Sequence, residues 1–210
     1  MQKLTIIKIG GNIIDDEAQL SLFMKDFAKI EGAKILVHGG GKLATRVAEA
    51  MGIRQQMEEG RRITDAETLK VVTMVYAGYI NKNITAQLQA NGCNAVGLSG
   101  ADGNLVKAHK RSGAGIDYGF AGDVDEVNTG FIQQLLLQNM ALVVCPVTHD
   151  AKGQLLNTNA DTIAQEIAKA MCRTFVVTLV YCFEKNGVLQ DAANDDSVIP
   201  AINAALFEHL

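Results

Sequence analysis

The sequence lacks any excess of positive charge. Lys and Arg number 19 against 23 Asp and Glu, a formal net charge of −4. A protein that tracks nucleic-acid phosphates normally carries a basic field, so that class is excluded. Long apolar runs are missing too. The most apolar stretch, Phe175 to Phe183, has strand length and is β-branched, far short of the ~20 residues of a membrane span. Met1-Gln2-Lys3-Leu4 leads directly into a strand-like segment, without the apolar core of a secretory leader. The four cysteines, Cys93, Cys145, Cys172 and Cys182, form no CxxC pair and no metal-ligand spacing. They read as reduced, mostly buried thiols of a cytoplasmic protein. Only two prolines accompany 20 glycines, which points to tight backbone approaches and not to flexible linkers.

What is present suits a globular chain. Its 210 residues are 48% apolar and 20% charged, too apolar for disorder and long enough for one large domain or two fused lobes. Strand-like and helix-like segments alternate, as in an α/β layer fold. Strands are expected over 4–9, 34–38, 95–98, 141–145 and 174–180. Helices are expected over 17–30, 42–51, 129–139 and 161–171, with another starting at 201. Residues 54–62 read as a hairpin or long loop. Residues 105–110 and 119–127 read as short antiparallel strands. Thr64-Asp65-Ala66-Glu67 reads as a capping box opening a long helix toward Asn91-Gly92. Val71, Val72, Met74, Val75, Tyr76, Tyr79 and Ile80 cover more than one face of that helix, so it is deeply buried or shared with a partner subunit.

Two glycine turns end the first two strands: Lys8-Ile9-Gly10-Gly11 and His38-Gly39-Gly40-Gly41. Such turns, each followed by a helix N-terminus, let backbone N–H groups converge on an anion; the simpler reading is a pair of tight turns. Neither is a Walker loop, which would need glycine at position 36 and Ser or Thr at 43, where the chain has Leu36 and Leu43. Lys8 near the end of an apolar strand is a point charge for phosphoryl oxygens or a lysine reaching the sheet edge. Arg62 offers a fork for a carboxylate or is simply solvated. Asn157-Thr158-Asn159-Ala160-Asp161 opens a helix, where Asn and Asp are ordinary caps. His38 borders the second turn and is placed to position its backbone, whereas His109, His149 and His209 read as surface residues.

These motifs resemble the amino-acid kinase superfamily, and within it the acetylglutamate kinases. The resemblance runs through the two glycine turns, Arg62-Ile63-Thr64, Gly97 to Gly103, Gly119 to Val124 and Asn157 to Asp161. It implies a three-layer αβα sandwich with a mostly parallel open sheet. It also implies transfer of the γ-phosphoryl group of ATP, with Mg²⁺ carried by the nucleotide, to the side-chain carboxylate of an N-acylated glutamate in arginine biosynthesis. By resemblance Lys8 stabilises the transferred group and Asp161 orients Lys8. Gly10 and Gly11 face phosphate, Gly40 and Gly41 face substrate, and Arg62 and Asn157 hold the acyl-glutamate. Glu184, Lys185 and Gly187 fall in the nucleotide loop. No metal ligands are expected.

Three departures from the family pattern stand out. No second lysine in a Gly-Met-x-x-Lys setting follows Asp161, which implies a C-terminally truncated chain, with an acyl-glutamate lobe at 1–156 and an incomplete nucleotide lobe at 157–210. The run Tyr181 to Leu189 differs from the usual nucleotide loop. No helix precedes the first strand, which in this family implies an arginine-insensitive homodimer. N-acetyl and N-succinyl substrates both stay open. So do a truncated paralogue that binds without phosphorylating and a kinase for another small acid.

Overall fold

Five apolar, β-branched runs pair into one parallel sheet. The computed structural model describes residues 1–58, 61–112, 115–183, 185, 187–191 and 193–203. The elements are β1 (Gln2–Ile9), α1 (Gly11–Asp15), α2 (Glu17–Lys29), β2 (Ala33–His38), α3 (Gly41–Ala50), β3 (Gln56–Glu58), β4 (Arg61–Ile63) and α4 (Ala66–Val72). A π-helical segment (Thr73–Ile80) joins α4 to α5 (Asn81–Ala90). Then follow β5 (Ala95–Leu98), β6 (Val106–Lys110), β7 (Ala121–Val127), α6 (Thr129–Leu137), β8 (Ala141–Val144), β9 (Val147–His149), β10 (Leu155–Thr158), α7 (Ala160–Met171) and β11 (Phe175–Cys182).

The main sheet has the order β11-β1-β2-β8-β5, with every pairing parallel. Alternation along each strand sends side chains to opposite faces. Ile7, Ile9, Leu36 and Val143 join a core with residues of α2, α3, α4 and α5. Leu4, Ile6, Ile35, Val37, Leu142 and Val144 join a second core with α6 and α7. Parallel strands buried on both faces require helices on both, and the three-layer sandwich follows. The buried Lys34 is satisfied by the C-terminal carbonyls of α2, donating to Phe27, Ala28 and Ile30 at 3.1, 2.9 and 2.7 Å.

Beside the sandwich, β10, β7, β6 and β9 close into a small barrel. The expected antiparallel pair is its β6–β7 ladder. The sequence reading missed β9 and β10, which are short and carry polar residues. The division at 156/157 falls inside β10. Among the described residues no helix is long and apolar enough to cross a membrane.

Three further expectations change. Asp65, not Thr64, caps α4, its carboxylate accepting from the Thr68 N–H at 2.7 Å. Residues 201–203 are not helical, and 204–210 lie outside the described residues. Cys93 and Cys145 are buried, but Cys172 is exposed and Cys182 is half-buried.

Thr64 is buried and bridges in parallel fashion to Gly119. Its N–H donates to the Tyr118 carbonyl at 3.1 Å, and its own carbonyl accepts from the Phe120 N–H at 2.6 Å. Gly119 has φ +64, and a Cβ there would lie 2.2 Å from the Thr64 carbonyl oxygen. Backbone cannot step aside as a side-chain tip can. Gly119→Ala is expected to cost about 2–5 kcal/mol through left-handed strain and overpacking. Thermal unfolding should then shift down by on the order of 10 °C. An unchanged melting temperature would show that this bridge does not hold the β3–β4 hairpin to the barrel.

Candidate active site

The carboxyl ends of β1 and β2 carry the two glycine turns, where open parallel sheets place their ligand crevices. Gly10 precedes α1 and Gly40 precedes α3. The Gly39 N–H donates to the Ile9 carbonyl at 3.3 Å, which ties the turns together. Gly40 has φ +144, and a Cβ there would meet Ile80 Cδ1 at 2.2 Å and the Tyr76 ring at 3.3 Å. Only glycine lets the π-helical segment approach this turn so closely.

Gly39, Gly40, Gly41, Met57, Arg62, Tyr76, Gly122, Asn157 and Asn159 are among the residues lining a cavity of about 200 Å³. Sites for drug-sized ligands run to roughly 300–1,000 Å³, so the enclosed volume suits a small acid better than a whole nucleotide.

Arg62 enters on β4, and its guanidinium is held by protein acceptors on three sides. Nη2 donates to the Gly41 carbonyl at 3.1 Å and to Thr45 Oγ1 at 2.9 Å. Nη1 donates to Gln55 Oε1. Those partners take both Nη2 hydrogens and one on Nη1, which leaves single directional donors on Nε and Nη1 for a ligand carboxylate. Asn157 comes from β10 and donates from Nδ2 to Thr64 Oγ1 at 3.0 Å. The Thr64 hydroxyl in turn donates to the Arg62 carbonyl at 3.0 Å. Thr64 thus links two site residues that lie far apart in the chain. The Tyr76 phenol also lies beside Arg62. Burial raises its pKa above the ordinary tyrosine value, against a lowering influence of the Arg62 charge.

The second cluster adjoins the cavity. Lys8 shares the face of β1 that packs on α7, and its Nζ lies 2.8 Å from Asp161 Oδ1. The lysine side chain is 15% exposed and the aspartate 52%, so the cation is the more enclosed partner. The cap of α7 is Asn159, whose Oδ1 accepts from the N–H groups of Asp161 and Thr162 at 2.8 and 3.0 Å. Asp161 is therefore released from capping and turned to Lys8. A Cβ on Gly10 would lie 4.0 Å from Lys8 Nζ.

The structure thus gathers Gly40, Gly41, Arg62 and Asn157 around one cavity and places Lys8, Gly10 and Asp161 together next to it. Gly11 begins α1 behind Gly10. Lys185 forms an ion pair with Asp195, and Gly187 packs where a Cβ would meet Val198 Cγ1 at 2.8 Å. Neither lines the cavity. Glu184 lies outside the described residues. Thr45, Gln55, Met57, Thr64 and Tyr76 were not singled out from sequence as site residues. The signal for Gln55 and Met57 was their place in the polar segment before Arg62, and Tyr76 was read only as an apolar helix residue.

His38 is fully buried, and desolvation lowers its pKa to about 4. His109 is exposed and lies 2.6 Å from Asp125. His149 is half-buried, with Nδ1 accepting from the Ala151 N–H at 3.2 Å, so it is less exposed than expected. His209 lies outside the described residues. Among the described residues no three His, Cys, Asp or Glu side chains converge as a protein-held metal ion requires.

A family model described as the amino acid kinase family matches residues 3–209. An acetylglutamate kinase of Phocaeicola vulgatus is 59% identical over 207 residues, covering 99% of this chain and 80% of that protein. An acetylglutamate kinase of Cytophaga hutchinsonii is 58% identical over 211 residues, covering 100% of this chain and 80% of that protein. Among solved structures, N-acetylglutamate synthase of Neisseria gonorrhoeae, in complex with coenzyme A and N-acetyl-glutamate, superposes with TM-score 0.77. It is 21% identical over 90% of this chain and 43% of that one, a likeness of fold.

Proposed function

The chain belongs to the amino acid kinase family, and on that footing we propose that it phosphorylates the side-chain carboxylate of N-acetyl-L-glutamate with ATP, in arginine biosynthesis. A carboxylate oxygen attacks the γ-phosphorus, the bond to the β,γ-bridging oxygen breaks, and its electron pair leaves on ADP. The product is an acyl phosphate. The acceptor is already ionised, so no general base is needed, and catalysis reduces to alignment and charge stabilisation. The observation that carries this reading is the Arg62–Asn157 cavity with the Lys8–Asp161 pair beside it. Arg62 and Asn157 hold the acyl-glutamate, with Gly40 and Gly41 offering backbone donors. Gly10 and Gly11 receive phosphate, Lys8 neutralises charge on the transferred group, and Asp161 aims Lys8. Mg²⁺ accompanies the nucleotide, because its usual partners are phosphate oxygens and water with few protein ligands.

Residues 1–156 serve acyl-glutamate binding in this proposal, and residues 157–210 begin the nucleotide side, with Asn157 on the strand they share. A binding-only paralogue is not favoured, since the similar relatives over nearly the whole chain are kinases. The test is to trap acyl phosphate as a hydroxamate after incubation with MgATP. N-Acetylglutamate, N-succinylglutamate, glutamate and aspartate are compared as acceptors. Product from an N-acylglutamate alone is expected. Equal product from free glutamate or aspartate, or none from any acceptor, would overturn the reading.

A homodimer is proposed to form along the helix from Ala66 to Ala90. Val75, one of the apolar residues of that helix, is 5% exposed and belongs to the protein's own core. Met74 at 52% and Tyr79 at 62% face outward. Met74→Glu with Tyr79→Glu is therefore expected to halve the sedimenting mass. A profile identical to the parent protein would remove this helix as the contact.

A further inference from the structure

The second glycine turn is held from behind by a buried hydrogen-bond relay. Asn81 and His38 are both fully buried. The Asn81 amide nitrogen lies 2.9 Å from the Val143 carbonyl and 3.1 Å from His38 Nε2. Its oxygen accepts from Lys82 Nζ at 3.1 Å, and that ammonium also donates to the Gly97 carbonyl at 2.7 Å. A carbonyl only accepts and an ammonium only donates. The amide is therefore oriented without ambiguity, with its NH₂ toward Val143 and His38.

The tautomer of His38 follows. Nε2 must accept, so the proton sits on Nδ1, which lies 2.9 Å from the Gly39 carbonyl and donates to it. A ring that is neutral down to about pH 4 keeps this arrangement across ordinary working pH. In a trans peptide the C=O and the next N–H point in opposite directions. Clamping the Gly39 carbonyl toward His38 thus turns the Gly40 N–H away from His38, and Gly40 itself lines the cavity.

The sequence around the relay is shaped to fit it. Gly97 sits within β5, where glycine weakens a strand unless another group must come close. A Cβ there would lie 2.1 Å from Asn81 Oδ1. The π-helical segment ends at Ile80. It delivers consecutive residues to consecutive tasks, Ile80 against Gly40 and Asn81 against His38.

We propose that His38 and Asn81 are positioning residues for phosphoryl transfer: Asn81 fixes the His38 tautomer, and His38 fixes the peptide plane that aims the Gly40 N–H at the reacting group. This rests on the kinase reading above. Neither residue touches substrate, and the Gly40 N–H that they aim serves the reacting carboxylate and the incoming phosphoryl group, so both act on kcat more than on the affinity set by Arg62 and Asn157.

The test compares His38→Asn, His38→Leu and Asn81→Leu in hydroxamate formation, thermal unfolding and ¹⁵N NMR of the imidazole. Asparagine places an amide donor near the Nδ1 position, and leucine has none. His38→Leu and Asn81→Leu are expected to lose about 10- to 100-fold in kcat, somewhat less than outright removal of an oxyanion donor. The KM for N-acylglutamate should stay within about 3-fold. His38→Asn should retain most of kcat although it melts lower, because its amide lacks the second partner. This inversion of activity against stability separates positioning from a merely structural role. Activity that follows stability, with leucine at least equal to asparagine, would overturn the proposal. So would an Nε2–H imidazole in the parent protein. If the parent protein makes no acyl phosphate, the kinase reading falls and positioning falls with it, while the imidazole spectrum still reports whether the relay exists.

Discussion

Lys8→Met is expected to lower kcat for acyl phosphate formation by about 10²- to 10⁴-fold. Removal of one preorganised electrostatic group costs about this much in acyl and phosphoryl transfer. Methionine keeps most of the aliphatic stem that β1 packs beneath α7, so the loss is one of charge and not of packing. The abandoned Asp161 carboxylate is half exposed and returns to water, so the fold should be little affected. Asp161→Asn tests the same pair from the other side. It keeps the cation and loosens its aim, and about a 10-fold drop is expected, short of the loss of the charge itself. Melting temperatures close to the parent protein are the necessary control. Retention of more than a tenth of kcat by Lys8→Met would remove Lys8 from the phosphoryl-transfer role.

The parallel sheet was legible because its strands are short apolar runs cut off sharply. Lys34-Ile35-Leu36-Val37-His38 before three glycines has no competing helical reading, and every residue from Ala33 to His38 is buried. The barrel was half legible. β6 alternates apolar and polar residues over Val106 to His109, whereas β9 is only three residues long, directly after Pro146, and β10 ends in Asn157-Thr158. The inward Thr148 and Thr158 satisfy each other at 2.7 Å. That pairing hides two core positions from any search for apolar periodicity. The wide apolar coverage of residues 71–80 predicts only burial or a partner. Its physical basis includes a change of period: in a π-helical segment hydrogen bonds run i→i+5, so the apolar stripe drifts from the α-helical positions.

The site was legible where a residue type is costly in its setting. Lys8 within an apolar strand and glycines at strand ends each advertise a reason to be there. The supporting residues do not. Thr45, Gln55 and Thr64 are ordinary polar residues whose meaning comes from three-dimensional convergence on Arg62 and Asn157. Asn81 read as one more polar residue in a long helix. It became informative only when α5 set it against His38 and the β8 carbonyl.

Arg62→Lys is expected to raise the KM for N-acylglutamate by about 10- to 100-fold, equivalent to losing a charge-assisted bond of roughly 1.5–3 kcal/mol. The KM for MgATP should change little. The positive charge survives in this variant, so the effect isolates geometry. A lysine ammonium is a point donor on a flexible stem and cannot reproduce the fixed directions of a planar guanidinium. Gly41, Thr45 and Gln55 also accept from Arg62 and fix the direction of its guanidinium. Lysine would need to find its position anew at each encounter. If Arg62 supplied only long-range attraction, lysine would substitute freely and both constants would stay near the parent values. If it served the nucleotide, the KM for MgATP would carry the change. Arg62→Ala extends the series. It removes charge and geometry together, and its KM for N-acylglutamate should exceed that of the lysine variant. The Arg62→Lys penalty should be largely independent of salt, because it arises from lost directional bonds, whereas the further step to alanine should shrink at high ionic strength as screening weakens the attraction it removes. A salt-sensitive first step would reverse that assignment and make Arg62 a steering charge instead of a directional binding group.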